Sequence, residues 1–202
     1  MKMKRLPAIL TVLMFIVSAC QQPKPVEQTE TQNEPPKPDY HGYESQEKWG
    51  EHLVTIAGCN DCHTPKKMTA MGPELDSSLL LSGHPAQMPA PDVDRKEMEK
   101  KGLAVTNDLT SWVGPWGVSY AANITSDPTG IGNWEESTFI RAIREGKFKG
   151  IESGRPLLPP MPWQMYRNMT DDELKAVFAF LKSTKPVQNL VPQFQPPLLA
   201  AH

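Results

Sequence analysis

The chain has 202 residues, about one ordinary domain with additions, and its 21 Lys plus Arg against 23 Asp plus Glu leave a formal charge of −2. That balance argues against a nucleic-acid binder, which shows a basic excess, and a mean hydropathy of −0.46 excludes a polytopic membrane protein. Three cysteines are too few for a disulfide framework, and 21 prolines, about twice the usual share of roughly 5%, mark a loop-rich chain.

The first segment reads as an address. Lys2, Lys4 and Arg5 form a positive start, and Leu6 to Val17 is an apolar stretch shorter than the roughly 20 residues of a spanning helix. It ends in Val17-Ser18-Ala19-Cys20, which resembles the bacterial lipobox. The expectation is a lipoprotein signal peptide over 1–19 and a lipidated Cys20, with an ordinary signal peptide as the alternative. Acyl chains on Cys20 would hold the protein to a bilayer and place its domain in the periplasm. Residues 21–39 hold one aliphatic residue, Val26, and five prolines, so 20–39 reads as an extended tether unable to bury apolar surface.

Ser45 predicts a helix start, with Trp49, Leu53, Ile56 and Ala57 at i, i+4, i+7 and i+8. That helix leads into Cys59-Asn60-Asp61-Cys62-His63, a C-x-x-C-H, the attachment pattern of a c-type haem. Two thiols three positions apart can reach both vinyl groups on one porphyrin edge. The adjacent His63 then supplies a nitrogen to the iron. A zinc site would want a second Cys/His pair, and a thioredoxin-like redox pair would want a βαβ context; neither is evident. The motif occurs once, which implies one haem.

Beyond the motif come Gly72-Pro73, a Ser82-Gly83-His84-Pro85 loop, Met88 between prolines, a charged run from Asp92 to Lys101 and a Trp/Gly stretch from Ser111 to Tyr120. The charged run reads as a solvated helix or loop. In the second stretch Trp112, Trp116 and Tyr120 are candidates to cover a haem edge and donate to its propionates, with Arg141 and Arg155 as further candidates. A helix is expected from Asn133, with Phe139, Ile140 and Ile143 apolar and Gly146 as its C-cap. A last helix starts at the capping box Thr170-Asp171-Asp172-Glu173 and carries Leu174, Val177, Phe178 and Leu181. Strand signals are weak, so the chain reads as small and mainly helical.

Three segments, GEHLVTIAGCNDCHTPK, YAANITSDPTGIGNWEESTFIRAIREG and LLPPMPWQMYRNMTDDELKAVFAFLKS, make the chain resemble the monohaem class I cytochrome c family over about residues 43–186. They are similar in particular to the cytochrome c domains of membrane-bound alcohol and gluconate dehydrogenase complexes, whose subunits typically carry several such domains. The resemblance implies a mainly α, loop-rich class I cytochrome c fold over 40–188, with helices packed around one covalent haem c; residues 189–202 read as a Pro-rich tail. It implies Met161, in Pro159-Pro160-Met161-Pro162-Trp163, as the second iron ligand opposite His63. Flanking prolines restrict that loop, and a soft neutral thioether raises the reduction potential. Met165, Met169, Met88 and His84 are the competing ligands. The resemblance also implies that the Pro73 carbonyl accepts from His63 and that Asn123 lies near the haem. His41, His52 and His202 read as solvated.

The expected function is electron transfer without catalysis, by a lipid-anchored protein whose partner is a membrane-bound dehydrogenase or terminal oxidase, and no nucleic acid is involved. Two alternatives stay open: a haem enzyme or gas sensor with a labile sixth ligand, and a docking module whose haem only staples the fold.

Overall fold

The computed structural model describes residues 39–199; the signal segment, Cys20 and nearly all of the tether lie outside them. The helices and sheets of the described residues run in chain order as α1 (Gln46–Ile56), α2 (Cys59–His63), β1 (Lys66–Thr69), β2 (Gly72–Leu75), α3 (Arg95–Lys101), β3 (Ser111–Gly114), β4 (Gly117–Tyr120), α4 (Glu136–Glu145), α5 (Trp163–Tyr166) and α6 (Asp171–Ser183), with a short 3-10 turn at Phe148–Gly150. None of these helices is long and apolar enough to cross a membrane.

Two helices form the centre. Ser45 caps α1 by accepting from the Lys48 N–H, and Trp49, Leu53 and Val54 face inward. Ile56, expected on that face, is instead 65% exposed, because the buried stripe turns through Val54. The Thr170–Glu173 capping box forms as expected and starts α6, which buries Leu174, Ala176, Val177, Phe178 and Leu181. The two helices cross so closely that a Cβ on Gly50 would stand 1.9 Å from the Ala176 carbonyl oxygen. Phe139 of α4 meets Phe178 with ring centroids 5.4 Å apart, and Leu81 and Ile131 complete the cluster. Each such buried aliphatic or aromatic side chain contributes about 1.5–3 kcal/mol.

Helix α4 begins at Glu136, three residues after the expected Asn133, because Trp134 N–H first closes a turn onto the Ile131 carbonyl. Its end is as read: Gly146 caps it in the left-handed region at φ 64°.

The two antiparallel hairpins, β1–β2 and β3–β4, were not legible in the sequence. β3 is buried at all four positions, so it shows no inside–outside alternation to read. The charged run folds as α3, capped by Asp94 accepting from the Glu97 N–H.

The proline-rich segment after α6 is an ordered strap as far as Leu199. Asn189 receives the Ala86 N–H and donates to the Ser82 and His84 carbonyls. Gln195 pairs with Val118 on β4, passing so near that a Cβ on Gly117 would stand 2.1 Å from the Gln195 oxygen. Arg95 of α3 donates to the Gln195 side chain and the Pro196 carbonyl, and Glu99 accepts the Leu198 and Leu199 N–H groups. The charged run, read as solvated, therefore grips the chain's own tail.

Candidate haem-attachment site

Helix α1 stops at Ala57, and Gly58, left-handed at φ 66°, turns the chain into α2. On this five-residue helix Cys59, Cys62 and His63 stand at i, i+3 and i+4, and so share one face. The helix end is tied down by Thr64, which is fully buried, donates to Asn60 Oδ1 at 2.7 Å and accepts the Leu81 N–H at 2.8 Å.

His63 is 9% exposed, and its Nδ1 lies 2.7 Å from the Ala122 carbonyl oxygen. A carbonyl only accepts, so Nδ1 carries the proton and Nε2 keeps a bare lone pair. Burial pushes the imidazole pKa below its ordinary value, which keeps the ring neutral. Nε2 has no hydrogen-bond partner among the described residues. A neutral imidazole, oriented through its other nitrogen, is the form that ligates a metal.

The expected acceptor for that N–H was the Pro73 carbonyl, and the structure corrects this. Residues 66–75 close on themselves as the β1–β2 hairpin, with Pro73 exposed opposite Met68. The chain returns to the histidine at Gly83, whose N–H donates to the His63 carbonyl at 2.7 Å. Next to it His84 N–H donates to Ala121 and Ile124 N–H to Leu81, laying 121–124 alongside 81–84. Gly83 has φ +76°, and a Cβ there would stand 2.5 Å from Ala121 O. Glycine is thus required where Ala122 approaches His63, and nothing in the one-letter sequence marks that pairing of backbone groups.

Burial pushes the Cys59 thiol up to about 11 and raises that of Cys62 as well. Redox dithiols of this spacing work by the opposite shift, a stabilised thiolate. No group of three or more His, Cys, Asp or Glu side chains converges among the described residues, so the motif also lacks the partners of a zinc site.

Met161 lies half-buried in its proline loop, its N–H donating to the Leu158 carbonyl at 3.1 Å. Two residues on, α5 is fastened beside the cysteines: Tyr166 donates its hydroxyl to the Ala57 carbonyl at 2.6 Å. Burial, with a smaller contribution from Cys59 and Cys62, raises the phenol pKa. The competing ligands are placed otherwise. Met165 is 71% exposed, Met169 packs on the core, and Met88 is partly exposed. His84 is fully buried with both ring nitrogens engaged, Nδ1 with Thr110 Oγ1 at 2.7 Å and Nε2 donating to the Met88 carbonyl at 2.8 Å.

Of the expected propionate donors, Trp116 and Asn123 spend their N–H groups within the protein. Trp116 Nε1–H donates to Ser119 Oγ at 2.9 Å. Tyr120 accepts from Gln195, and its ring packs tilted against that of His84, with centroids 5.0 Å apart. Asn123 is 4% exposed, its amide donating to Thr129 and the Val187 carbonyl while its oxygen accepts from Thr125. Asn123 is the knot joining the 121–131 loop to the tail, which is why it stands within the fold. Arg141 donates to the Gly150 carbonyl, and Arg155 lies 3.8 Å over the Phe148 ring.

No protein-family model matches the chain. Over 155 residues, 75% of this chain, it is 39% identical to the alcohol dehydrogenase (quinone) cytochrome c subunit of Gluconobacter oxydans (strain 621H), covering 24% of that protein. Over 150 residues, 73% of this chain, it is 36% identical to the fructose dehydrogenase cytochrome subunit of Gluconobacter japonicus, covering 23% of it. A shorter stretch of 75 residues, 36% of this chain, is 39% identical to the gluconate 2-dehydrogenase cytochrome c subunit of Pantoea cypripedii, covering 16% of it. The chain therefore spans about a quarter or less of the length of these relatives. With its C-x-x-C-H helix and neutral, oriented histidine, the chain is similar to part of the cytochrome c subunits of alcohol, fructose and gluconate dehydrogenases.

Proposed function

We propose that residues 40–188 are a class I cytochrome c domain holding one haem c, bonded through Cys59 and Cys62 and ligated by His63 and Met161, and that the protein passes single electrons. The donor would be a membrane-bound dehydrogenase or respiratory complex, and a terminal oxidase is among the candidate partners. The observation that carries this reading is His63, whose Nδ1–H is fixed on Ala122 O at 2.7 Å with Nε2 bare, directly after two thiols on the same helix face. Bound haem c supplies a one-electron Fe(III)/Fe(II) couple. The residues do the rest. α2 presents both thiols for thioether bonds, and Ala122 fixes the ring and strengthens it as a donor. Two neutral ligands, imidazole and thioether, favour the reduced state.

Cys20 would carry the acyl anchor, with 20–39 as the tether and the domain on the periplasmic side. A tether to the same membrane raises the partner's effective concentration without enlarging the interface.

The test is the protein matured in a host that attaches haem. Its intact mass should exceed that of the polypeptide by one haem, and the ferrous form should resist carbon monoxide while Met161→Ala binds it. Colourless protein from a competent host overturns the cofactor. Rapid carbon monoxide binding by the unmutated protein favours an enzyme or gas sensor with a labile sixth ligand.

A further inference from the structure

The Met161 loop is poor in hydrogen-bond donors of its own. Pro159, Pro160 and Pro162 carry no N–H, and the Met161 N–H is already engaged with Leu158. A brace comes from elsewhere in the chain. Ser119 on β4, 6% exposed, donates its hydroxyl to the Pro159 carbonyl at 2.7 Å, two residues before Met161. The same hydroxyl accepts the Trp116 indole N–H at 2.9 Å. With one lone pair occupied by the indole, the hydroxyl proton is directed to the carbonyl, and the two bonds reinforce one another.

The hairpin is shaped to hold this arrangement. The Trp116 ring lies across Gly114, where a Cβ would stand 2.7 Å from the indole. Val118, next to Ser119, exchanges both ladder hydrogen bonds with Gln195 of the tail, at 2.8 and 3.1 Å. A continuous brace thus runs from tail to hairpin to the methionine loop.

We infer that Ser119, oriented by Trp116, is a positioning residue that keeps the Met161 loop in its ligating conformation; this rests on the reading of Met161 as an iron ligand. A thioether is a weak neutral ligand, so its occupancy depends on how strongly the fold favours the closed loop. Release of the loop lets an external ligand compete, and the apparent affinity of that ligand scales with the released fraction.

Imidazole titrated into the oxidised, haem-loaded protein reads that fraction directly. Ser119→Ala should tighten apparent imidazole binding about fivefold, the weight of one hydrogen bond. Trp116→Phe should act in the same direction by less, and Ser119→Thr, which keeps the hydroxyl, should restore binding toward the unmutated value. Unchanged imidazole affinity in Ser119→Ala overturns the inference while leaving Met161 as ligand. If Met161→Ala binds imidazole no more tightly than the unmutated protein, Met161 is not the ligand displaced. The underlying reading then fails together with this inference.

Discussion

The helical part of the molecule and its strap are built by different physics. α1, α4 and α6 are joined by side chains: Trp49, Leu53, Phe139, Leu174 and Phe178 share one apolar cluster, and the crossing is set by Gly50 against Ala176. The strap is joined to α3 and the β3–β4 hairpin largely by hydrogen bonds to main-chain groups. Examples are Gln195 on Val118, Arg95 on Pro196 and Glu99 on the Leu198 and Leu199 N–H groups. The first mode carries most of the stability. The second supplies placement, including the Ser119 bond to the methionine loop.

The contrast sets an order of effects. Leu174, 1% exposed at the centre of the cluster, should cost about 3 kcal/mol when changed to Ala, measured by urea unfolding. Gly50→Ala should cost a similar amount, about 3 kcal/mol, because its new methyl meets backbone rather than a movable side chain. Gly83→Ala should cost about 2 kcal/mol, since a Cβ would meet Ala121 O in a left-handed backbone. The same change should also shift the reduction potential, because Ala122 would no longer hold His63 in place. Removing the chain from Gln195 onward should cost less than Leu174→Ala, about 1–2 kcal/mol, and should speed hydrogen exchange at Val118, whose N–H donates to Gln195. If that truncation proves as destabilising as Leu174→Ala, the division between the two regions is wrong.

The smallest effect is acid release of the strap. The Leu198 N–H holds the Glu99 carboxyl below its ordinary value, with Leu199 and Arg95 adding in the same direction. A lowered folded pKa contributes stability that is fully present above the ordinary glutamate range and is lost as pH falls through the folded value. Proteolysis of residues 193–199 should therefore quicken below about pH 4, the ordinary range for glutamate, and Glu99→Gln should flatten that dependence. An equally steep acid response in Glu99→Gln would assign the release to another carboxylate.

These two modes also explain what was legible in the sequence. α1, α6 and the C-x-x-C-H helix announce themselves because a cap, a 3.6-residue apolar period and a spaced cysteine pair are properties of residue identity. The acceptor for His63 does not, since it is the main-chain carbonyl of an alanine, and Pro73 is the more conspicuous candidate. Trp116 and Asn123 stand out as polar groups needing partners. Those partners, Ser119 and the Thr129 and Val187 groups, depend on a hairpin and a tail that give no periodic signal. α3 reads as a solvated charge run because one face of its charge binds backbone, which has no letter in the sequence.

The central claim is a haem c held at Cys59 and Cys62 between His63 nitrogen and Met161 sulfur. A near-infrared spectrum of the oxidised protein, paired with that of Met161→Ala, tests it most directly. The expected result is a weak sulfur-to-iron band in the unmutated protein that disappears in the variant, with haem content unchanged. A haem-loaded protein that lacks the band, or a variant that retains it, would contradict the account.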